Sequence, residues 1–156
     1  MNALAPVALE TVTLRVAASH DCEAVWRWNF APEVRARSRR GHAVELVEHT
    51  RWFERRIGDA REPIWMIEEY FVPVGVVRLD AAGSGFARMS IALGASARGR
   101  GIGKTAVAAA CRAWDEPIFA EIFSNNLASR ACFEACGFHS VVECDGLLTY
   151  HWDPET

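Results

Sequence analysis

The chain has 156 residues, a formal net charge of −3, and 51% hydrophobic against 24% charged residues. This length fits one compact domain without room for a second substrate domain, and the apolar fraction excludes a disordered chain. The small negative charge gives no global basicity that would favour nucleic-acid binding. From length and composition, we expect residues 1–156 to form a single domain, ordered over about 10–152.

The amino-terminal third begins with a strand followed by helices. Alternating, β-branched residues predict the strand Leu9–Ala17. The next segment is predicted to be helical because Asp21 and Glu23 place negative charge in its first turn. The helices predicted in this part of the chain span 20–30, 32–37 and 44–57.

The rest of the chain is a meander followed by alternating helices and strands. Three extended runs separated by short turns predict antiparallel strands at Pro63–Tyr70, Val74–Asp80 and Phe86–Leu93. After a glycine-rich loop we predict helices over 102–114 and 126–136 and strands at Ile118–Phe123, Phe138–Cys144 and Leu147–Trp152. This order predicts an α+β fold with a mixed sheet.

Charge is unevenly distributed along the chain. Residues 35–61 contain eight arginines against four acidic residues, whereas residues 115–156 contain eight acidic residues against Arg130 alone. The basic segment suits an anionic ligand, and arginines on a solvated helix face are the alternative explanation.

The most informative segment is the loop Arg98-Gly99-Arg100-Gly101-Ile102-Gly103-Lys104-Thr105, between a predicted strand and a predicted helix. Its glycines let the backbone approach an anion, and the first N–H groups and the dipole of the helix attract one. A Walker loop requires glycine at position 98 and a dinucleotide fingerprint requires it at position 104, so both patterns fail. The remaining R-x-x-G-x-G pattern suits a phosphate or pyrophosphate, and a turn without a ligand is the alternative.

Two motifs resemble those of the GCN5-related N-acetyltransferases (GNAT). Arg98-x-x-Gly101-x-Gly103 resembles their pyrophosphate signature, and Asn126-Leu127-Ala128-Ser129 with Phe133 and Gly137-Phe138 resembles their second cofactor motif. The resemblance implies acetyl-CoA as cosubstrate, no metal, and a mostly antiparallel sheet of about seven strands, flanked by helices and splayed between the fourth and fifth strands. It further implies three groups of cofactor-binding residues: Ile91, Ala92 and Leu93 pairing their backbone with the pantetheine arm; Arg98, Gly99, Arg100, Gly101, Ile102, Gly103 and Lys104 around the pyrophosphate; and Asn126, Ser129 and Phe133 beyond the arm.

Shorter matches in the amino-terminal half resemble one branch of this family, which acetylates the 4-amino group of a UDP-linked amino sugar in pseudaminic acid synthesis. They are Trp28-Asn29, Pro32-Glu33-Val34-Arg35, Glu48-His49, Trp52-Phe53 and Pro73-Val74-Gly75-Val76-Val77-Arg78, so the resemblance extends over about residues 12–152. It implies a small-molecule amine acceptor, a UDP-amino sugar, bound by Trp28, Arg35 and His49. Core packing of Trp28 and His49, another small-amine or protein amino-terminal acceptor, and a non-catalytic CoA-binding module remain alternatives.

Amide formation requires a neutral amine, and amines with a pKa of about 10.4 need a base near pH 7. Glu121 is the candidate base, because alternation along its strand turns it away from Ala120 and Ile122, toward a cleft or toward solvent. Many family members have tyrosine where this chain has Phe133, which cannot donate a proton. Tyr150 is therefore a candidate acid; Ser129, solvent, or departure of CoA as a thiolate are alternatives.

Cysteine and histidine usage excludes further classes of protein. The five cysteines are odd in number and form no C-x-x-C pair, and no apolar leader is present, so we expect a cytoplasmic protein with reduced thiols. The five histidines form no metal-ligand pattern. Apolar runs fall short of the roughly 20 residues that span a bilayer. We expect no metal, nucleic-acid or membrane partner, and a homodimer is left open.

Overall fold

A computed structural model describes residues 11–32, 44–83 and 85–155. The predicted short helix at 32–37 lies almost wholly outside the described residues, and so does Arg35. Of the first predicted strand, positions 9 and 10 are also outside them.

The described residues form seven strands and four α-helices in an order that follows the sequence-based prediction. The strands are β1 Val12–Val16, β2 Ile64–Glu69, β3 Val72–Ala81, β4 Ala87–Leu93, β5 Ile118–Phe123, β6 His139–Cys144 and β7 Leu147–Trp152. The helices are α1 Cys22–Asn29, α2 Leu46–Arg56, α3 Ile102–Trp114 and α4 Leu127–Ala135, with 3₁₀ turns at Ser19–Asp21 and Ala95–Ala97.

The strands form one sheet in the order β1-β2-β3-β4-β5-β7-β6. Every neighbouring pair is antiparallel except β4 and β5, which are parallel. The α+β class and the mostly antiparallel, seven-stranded sheet are therefore confirmed. β6 and β7 are joined by Asp145 and Gly146, whose φ angles of 51° and 79° match the positive φ values that a two-residue type I′ hairpin turn requires.

The third strand is longer than predicted, because Val72, Pro73 and Ala81 also belong to it. Proline has no N–H to donate to a ladder, so within sheets it is confined to irregular or edge positions. Here it pairs with Glu68 where the β2–β3 register shifts, between Ile67 and Glu68. The irregularity accommodates a residue that a regular central ladder would exclude.

The fourth and fifth strands separate along most of their length. On one side, β4 pairs with β3 from Ala87 to Leu93. On the other side, it pairs with β5 only at Ala87↔Ile118 and Arg88↔Phe119. The predicted splay is thus confirmed, and we call the space between the carboxyl-terminal parts of β4 and β5 the β4–β5 slot.

The two faces of the sheet bury separate clusters. The larger cluster packs α3 and α4 on one face and includes Ile118, Ala120 and Ile122 of β5. The smaller cluster packs α1 and α2 on the other face and includes Val76 and Ala92. Because side chains alternate along a strand, Glu121 is directed toward the second face, which we call the α1–α2 face.

Candidate functional site

The main-chain groups that face the β4–β5 slot follow from hydrogen bonds at the two ends of β4. Ala87 N–H donates to Pro117 O on the β5 side (3.3 Å), and Gly94 N–H donates to Val74 O on the β3 side (2.8 Å). Backbone groups of a strand alternate in direction, so Ile91 and Leu93 direct theirs into the slot. Ala92 directs its groups toward β3, where it pairs with Val76. The prediction that the Ala92 backbone pairs with the pantetheine arm is therefore corrected: of the three predicted residues, only Ile91 and Leu93 direct backbone groups into the slot.

The glycine-rich loop brings the start of α3 to the open end of this slot. Gly99 and Gly101 have φ angles of +73° and +80°, a left-handed conformation that glycine adopts without strain. Gly101 is the N-cap of α3, and no side chain among the described residues caps it. Helix geometry leaves the first-turn N–H groups at positions 102–104 without intrahelical acceptors, so they form a surface that attracts an anion.

The two arginines of the loop bind other parts of the protein. Arg98 donates from Nε and Nη2 to Leu93 O, at 3.2 and 3.0 Å. Arg100 makes a two-pronged contact with the carboxylate of Glu69 at 2.8 and 2.9 Å and donates to Ser96 O at 3.2 Å. The contact with Arg100 lowers the pKa of Glu69. Both arginines hold the loop against the sheet, and their contact with a pyrophosphate stays a prediction.

Helix α4 borders the loop through Cys132, a residue that the sequence analysis did not single out. A Cβ atom on Gly103 would lie 3.5 Å from Cys132 Sγ and 3.5 Å from the Leu93 side chain, so both side chains lie next to Gly103. Burial raises the pKa of Cys132 to about 11. The sequence did contain a signal that Cys132 borders the site: it lies three residues after Ser129, a predicted cofactor-binding residue, and residues at i and i+3 share a helix face.

The predicted α4 residues have clear structural positions. Asn126 is the N-cap of α4, and its Oδ1 accepts the Ser129 N–H at 3.3 Å. Phe133 is buried and packs edge-on against Phe138, with ring centroids 4.9 Å apart. These contacts fix the start of α4 and anchor the helix in the core, and direct binding of a cofactor by Asn126, Ser129 or Phe133 stays a prediction.

Glu121 faces a polar cavity on the α1–α2 face, next to the point where β4 and β5 separate. Its Oε1 lies 3.4 Å from Arg88 Nη1, and the side chain is 16% exposed. Arg88 Nη2 in turn lies 3.1 Å from Asp80 Oδ2. The cavity has a volume of about 440 Å³ and is lined by Asp80, Ala81, Ala82, Arg88, Phe119, Glu121 and Thr149.

Asp80 is the common partner of three guanidinium groups. Arg56 Nη2 approaches its Oδ1 at 3.0 Å, and Arg78 Nε and Arg88 Nη2 approach its Oδ2. Burial alone raises the pKa of Asp80, but the charge of Arg78 and the contacts with the other two arginines outweigh burial and lower it. The guanidinium carbons of Arg56 and Arg78 lie 5.3 and 5.1 Å from the centroid of the Trp52 ring.

Tyr150 does not reach the slot. The side chain is fully buried on the sheet face that packs against α3 and α4. Its strand, β7, is separated from β4 by β5. Its hydroxyl donates to Glu134 Oε1 at 2.7 Å and accepts from Arg130 Nε at 3.1 Å. Burial and Glu134 raise its pKa. Because its proton is already donated to Glu134, Tyr150 is not positioned to protonate a leaving thiolate, and this corrects the predicted role.

Two of the predicted acceptor-binding residues lie within the described part of the chain. His49 is buried, and its Nε2 lies 3.0 Å from Cys22 O; its ring packs against Phe30, Trp52 and Phe53. Burial lowers the pKa of His49. Trp28 is half-buried against Gly94, where a Cβ atom would lie 3.1 Å from Trp28 Nε1. His49 therefore has a packing role, whereas Trp28 lies close to the end of β4.

Within residues 11–32, 44–83 and 85–155, no group of three or more His, Cys, Asp or Glu side chains is placed to hold a metal ion. Among these same residues, no helix has the length and apolar character needed to cross a membrane.

A family model described as an acetyltransferase (GNAT) domain matches residues 11–139. No curated protein sequence matches the chain. Among solved structures, the chain is similar to a proposed acetyltransferase from Salmonella typhimurium with its cofactor acetyl-CoA, with a TM-score of 0.74 and 18% identity over 94% of this chain and 95% of that chain.

Two further structures share this architecture. Spermidine N-acetyltransferase from Vibrio cholerae, in complex with CoA and spermine, has a TM-score of 0.77 and 16% identity over 92% of this chain and 94% of that chain. Ribosomal-protein-alanine N-acetyltransferase from Brucella melitensis has a TM-score of 0.74 and 21% identity over 90% and 99% of the two chains. At these identities, the structures show a common fold.

Proposed function

The chain belongs to the acetyltransferase (GNAT) domain family, and we propose that it transfers the acetyl group of acetyl-CoA directly to a primary amine. The observation that carries the proposal is the continuity of the β4–β5 slot with the uncapped start of α3. A strand edge and a helix N-terminus at its end match the two parts of coenzyme A, an extended arm with amides and a pyrophosphate.

The cofactor is proposed to bind as follows. The pyrophosphate lies on the first-turn N–H groups at positions 102–104. The pantetheine arm adds to the slot-facing edge of β4 through the main chain of Ile91 and the N–H of Leu93, whose carbonyl accepts from Arg98. The arm then runs from the open end of the slot toward the paired residues Arg88 and Phe119. This direction brings the thioester close to Glu121.

In the reaction, Glu121 accepts a proton from the acceptor amine, directly or through a water molecule, and the amine nitrogen attacks the thioester carbonyl. A slot-facing N–H group of β4 donates to the oxyanion that develops. The C–N bond forms, the C–S bond breaks, CoA leaves as a thiolate, and the amide nitrogen releases its remaining extra proton to solvent. Thiols have a pKa of about 8.5, so the anion is a tolerable leaving group without a side-chain acid.

The acceptor predicted from the sequence is a nucleotide-linked amino sugar. Arg78, within one of the matched segments, supports an anionic acceptor because it lies on the same face as Glu121. A spermidine acetyltransferase and a ribosomal-protein-alanine acetyltransferase share the fold, so small amines and protein amino termini are the competing acceptors. The cytoplasmic location and the homodimer stay predictions.

Calorimetry with acetyl-CoA and release of free CoA thiol with an amine panel test the proposal. The panel contains a UDP-4-amino sugar, spermidine and a peptide with amino-terminal alanine, and the Glu121→Gln variant serves as the matched control. We expect binding of acetyl-CoA and amine-dependent thiol release that is strongest with the amino sugar. Binding without release would favour a non-catalytic CoA-binding module, and reaction of peptides alone would exclude the sugar acceptor.

A further inference from the structure

Arg78 lies in the same row of the sheet as the candidate base. The β3–β4 register pairs Arg78 with Ser90, and continuing the β4–β5 register two residues beyond Arg88↔Phe119 places Ser90 opposite Glu121. All three residues are on the α1–α2 face. Because neighbouring strands are about 4.8 Å apart, the Arg78 and Glu121 backbones are separated by at least about 10 Å, a distance that a small molecule can bridge.

The guanidinium of Arg78 has unused hydrogen-bond donors. Its Nε contacts Asp80 Oδ2 at 3.3 Å, and its carbon lies 5.1 Å from the Trp52 ring centroid. Its two Nη groups make no hydrogen bond with the described residues, although the side chain is only 25% exposed. Four N–H bonds in a planar fork are therefore available, and this geometry fits a carboxylate or a phosphate.

The charge around Arg78 also favours an additional anion. Its acidic partner, Asp80, is shared with Arg56 and Arg88. Burial lowers the pKa of Arg78, and the positive charges of Arg56 and Arg88 add to this effect. A guanidinium that is largely removed from water, and whose positive charge is only partly balanced by acidic groups, is stabilised when an anion binds to it.

We propose that Arg78 binds an anionic group of the acceptor, so that the acceptor is a primary amine that also carries a carboxylate or a phosphate. The inference rests on the proposed function, because it assigns Glu121 to the amine end of the same molecule. The Trp52 ring contacts the guanidinium, and Glu121 and Arg78 together select amines by charge. Polycationic amines fit this site poorly.

Matched amine pairs test the inference in the wild-type enzyme. L-alanine and L-alaninamide differ in a carboxylate, and O-phosphoethanolamine and ethanolamine differ in a phosphate, so the two pairs distinguish the two kinds of anion. Spermidine is the cationic comparison. We expect kcat/KM, expressed per concentration of unprotonated amine, to be about 10- to 100-fold higher for the anionic member of at least one pair, the range that one charge-assisted hydrogen bond supplies.

Variants then assign the preference to Arg78. Arg78→Gln should remove the preference by raising KM for the anionic amine, and Arg78→Lys, which keeps the charge but loses the fork, should retain part of it. Arg61→Gln is the matched control, because Arg61 is 91% exposed and outside the site. A wild-type preference for neutral or cationic amines, or an equal loss for both members of a pair in Arg78→Gln, would overturn the inference. The wild-type comparison stands even where a variant does not fold.

The same assay separates this inference from the proposed function. If neutral amines react and their anionic partners do not, the enzyme is an acetyltransferase and the role of Arg78 is wrong. If acetyl-CoA binds and no amine of either kind releases CoA, both proposals are overturned.

Discussion

Arg88 Nη1 lies 3.4 Å from Glu121 Oε1, and this contact spans the point at which β4 and β5 stop pairing. The other arm of the same guanidinium contacts Asp80 on β3. Glu121 is thereby held beside the inner end of the β4–β5 slot, where the proposed cofactor position brings the thioester. The position of the carboxylate depends on three strands, and Glu121 on β5 is 33 residues from Arg88 in the sequence.

Glu121→Gln should lower kcat at pH 7 by about 10²- to 10⁴-fold, the usual contribution of a general base. The loss should shrink at alkaline pH, because amines with a pKa of about 10.4 then supply their own neutral form. The pH dependence of kcat for wild type and variant measures both effects. Glu116→Gln, at an exposed residue just before β5, is the control. A variant with the same pH profile as wild type would remove Glu121 from the mechanism.

Gly101→Ala should weaken acetyl-CoA binding. At a φ angle of +80°, a side chain costs about 1–2 kcal/mol of folding free energy, and its Cβ adds bulk where the backbone is proposed to approach the pyrophosphate. Gly83→Ala is the matched control, since Gly83 has a φ angle of +93° and equally open surroundings. Urea denaturation should show similar losses in both variants, whereas calorimetry should show weaker binding in Gly101→Ala alone. Equal affinities would place the pyrophosphate elsewhere.

Tyr150→Phe tests whether the buried hydroxyl is structural. Losing the bonds to Glu134 and Arg130 should lower the free energy of unfolding by about 0.5–1.5 kcal/mol, as for a typical hydrogen bond. We expect kcat to stay unchanged at a temperature where the protein is folded. Tyr70→Phe, at a hydroxyl on an exposed turn, should change neither quantity. A fall in kcat of about 100-fold, typical of a lost general acid, would restore the catalytic role.

Local signals in the sequence were sufficient for the elements and the cofactor loop. The helix Ile102–Trp114 and the strands Ile118–Phe123 and Leu147–Trp152 have the predicted bounds, because each combines a clear hydrophobic period with a turn or glycine signal at its end. The sequence did not show which backbone groups of β4 face β3 and which face the slot. That depends on the hydrogen bonds from Ala87 to Pro117 and from Gly94 to Val74, and these pairs meet only in the folded protein.

Charged side chains on the α1–α2 face were also beyond sequence reasoning. Asp80, Arg88 and Arg78 have ordinary strand positions, and only the folded structure shows that they meet Arg56 of α2, so that three arginines share one carboxylate. In the same way, Tyr150 carries no local sign that Glu134 and Arg130 use its hydroxyl. Contacts between distant segments depend on tertiary packing. Periodicity along a strand therefore predicts which face of the sheet a side chain occupies, but not which residues it contacts there.

His49 should make stability depend on pH near neutrality. Burial lowers its pKa below the ordinary value of 6.5, so the folded protein retains the neutral ring while the unfolded chain takes up a proton near pH 6.5. The unfolding free energy should therefore be level above about pH 7.5 and decline as pH falls below 6.5, by at most about 1.4 kcal/mol per pH unit for one proton.

Urea denaturation between pH 5 and 8 measures this slope. His49→Gln should be less stable than wild type at pH 7 and lose less stability toward pH 5, while His139→Gln, at an exposed residue of β6, should keep the wild-type slope. The sequence resemblance predicts instead that replacing His49 raises the acceptor KM more than the acetyl-CoA KM. Its burial against Phe30, Trp52 and Phe53 leads us to expect both KM values to stay unchanged, so a selective rise in the acceptor KM would show that His49 contacts the acceptor.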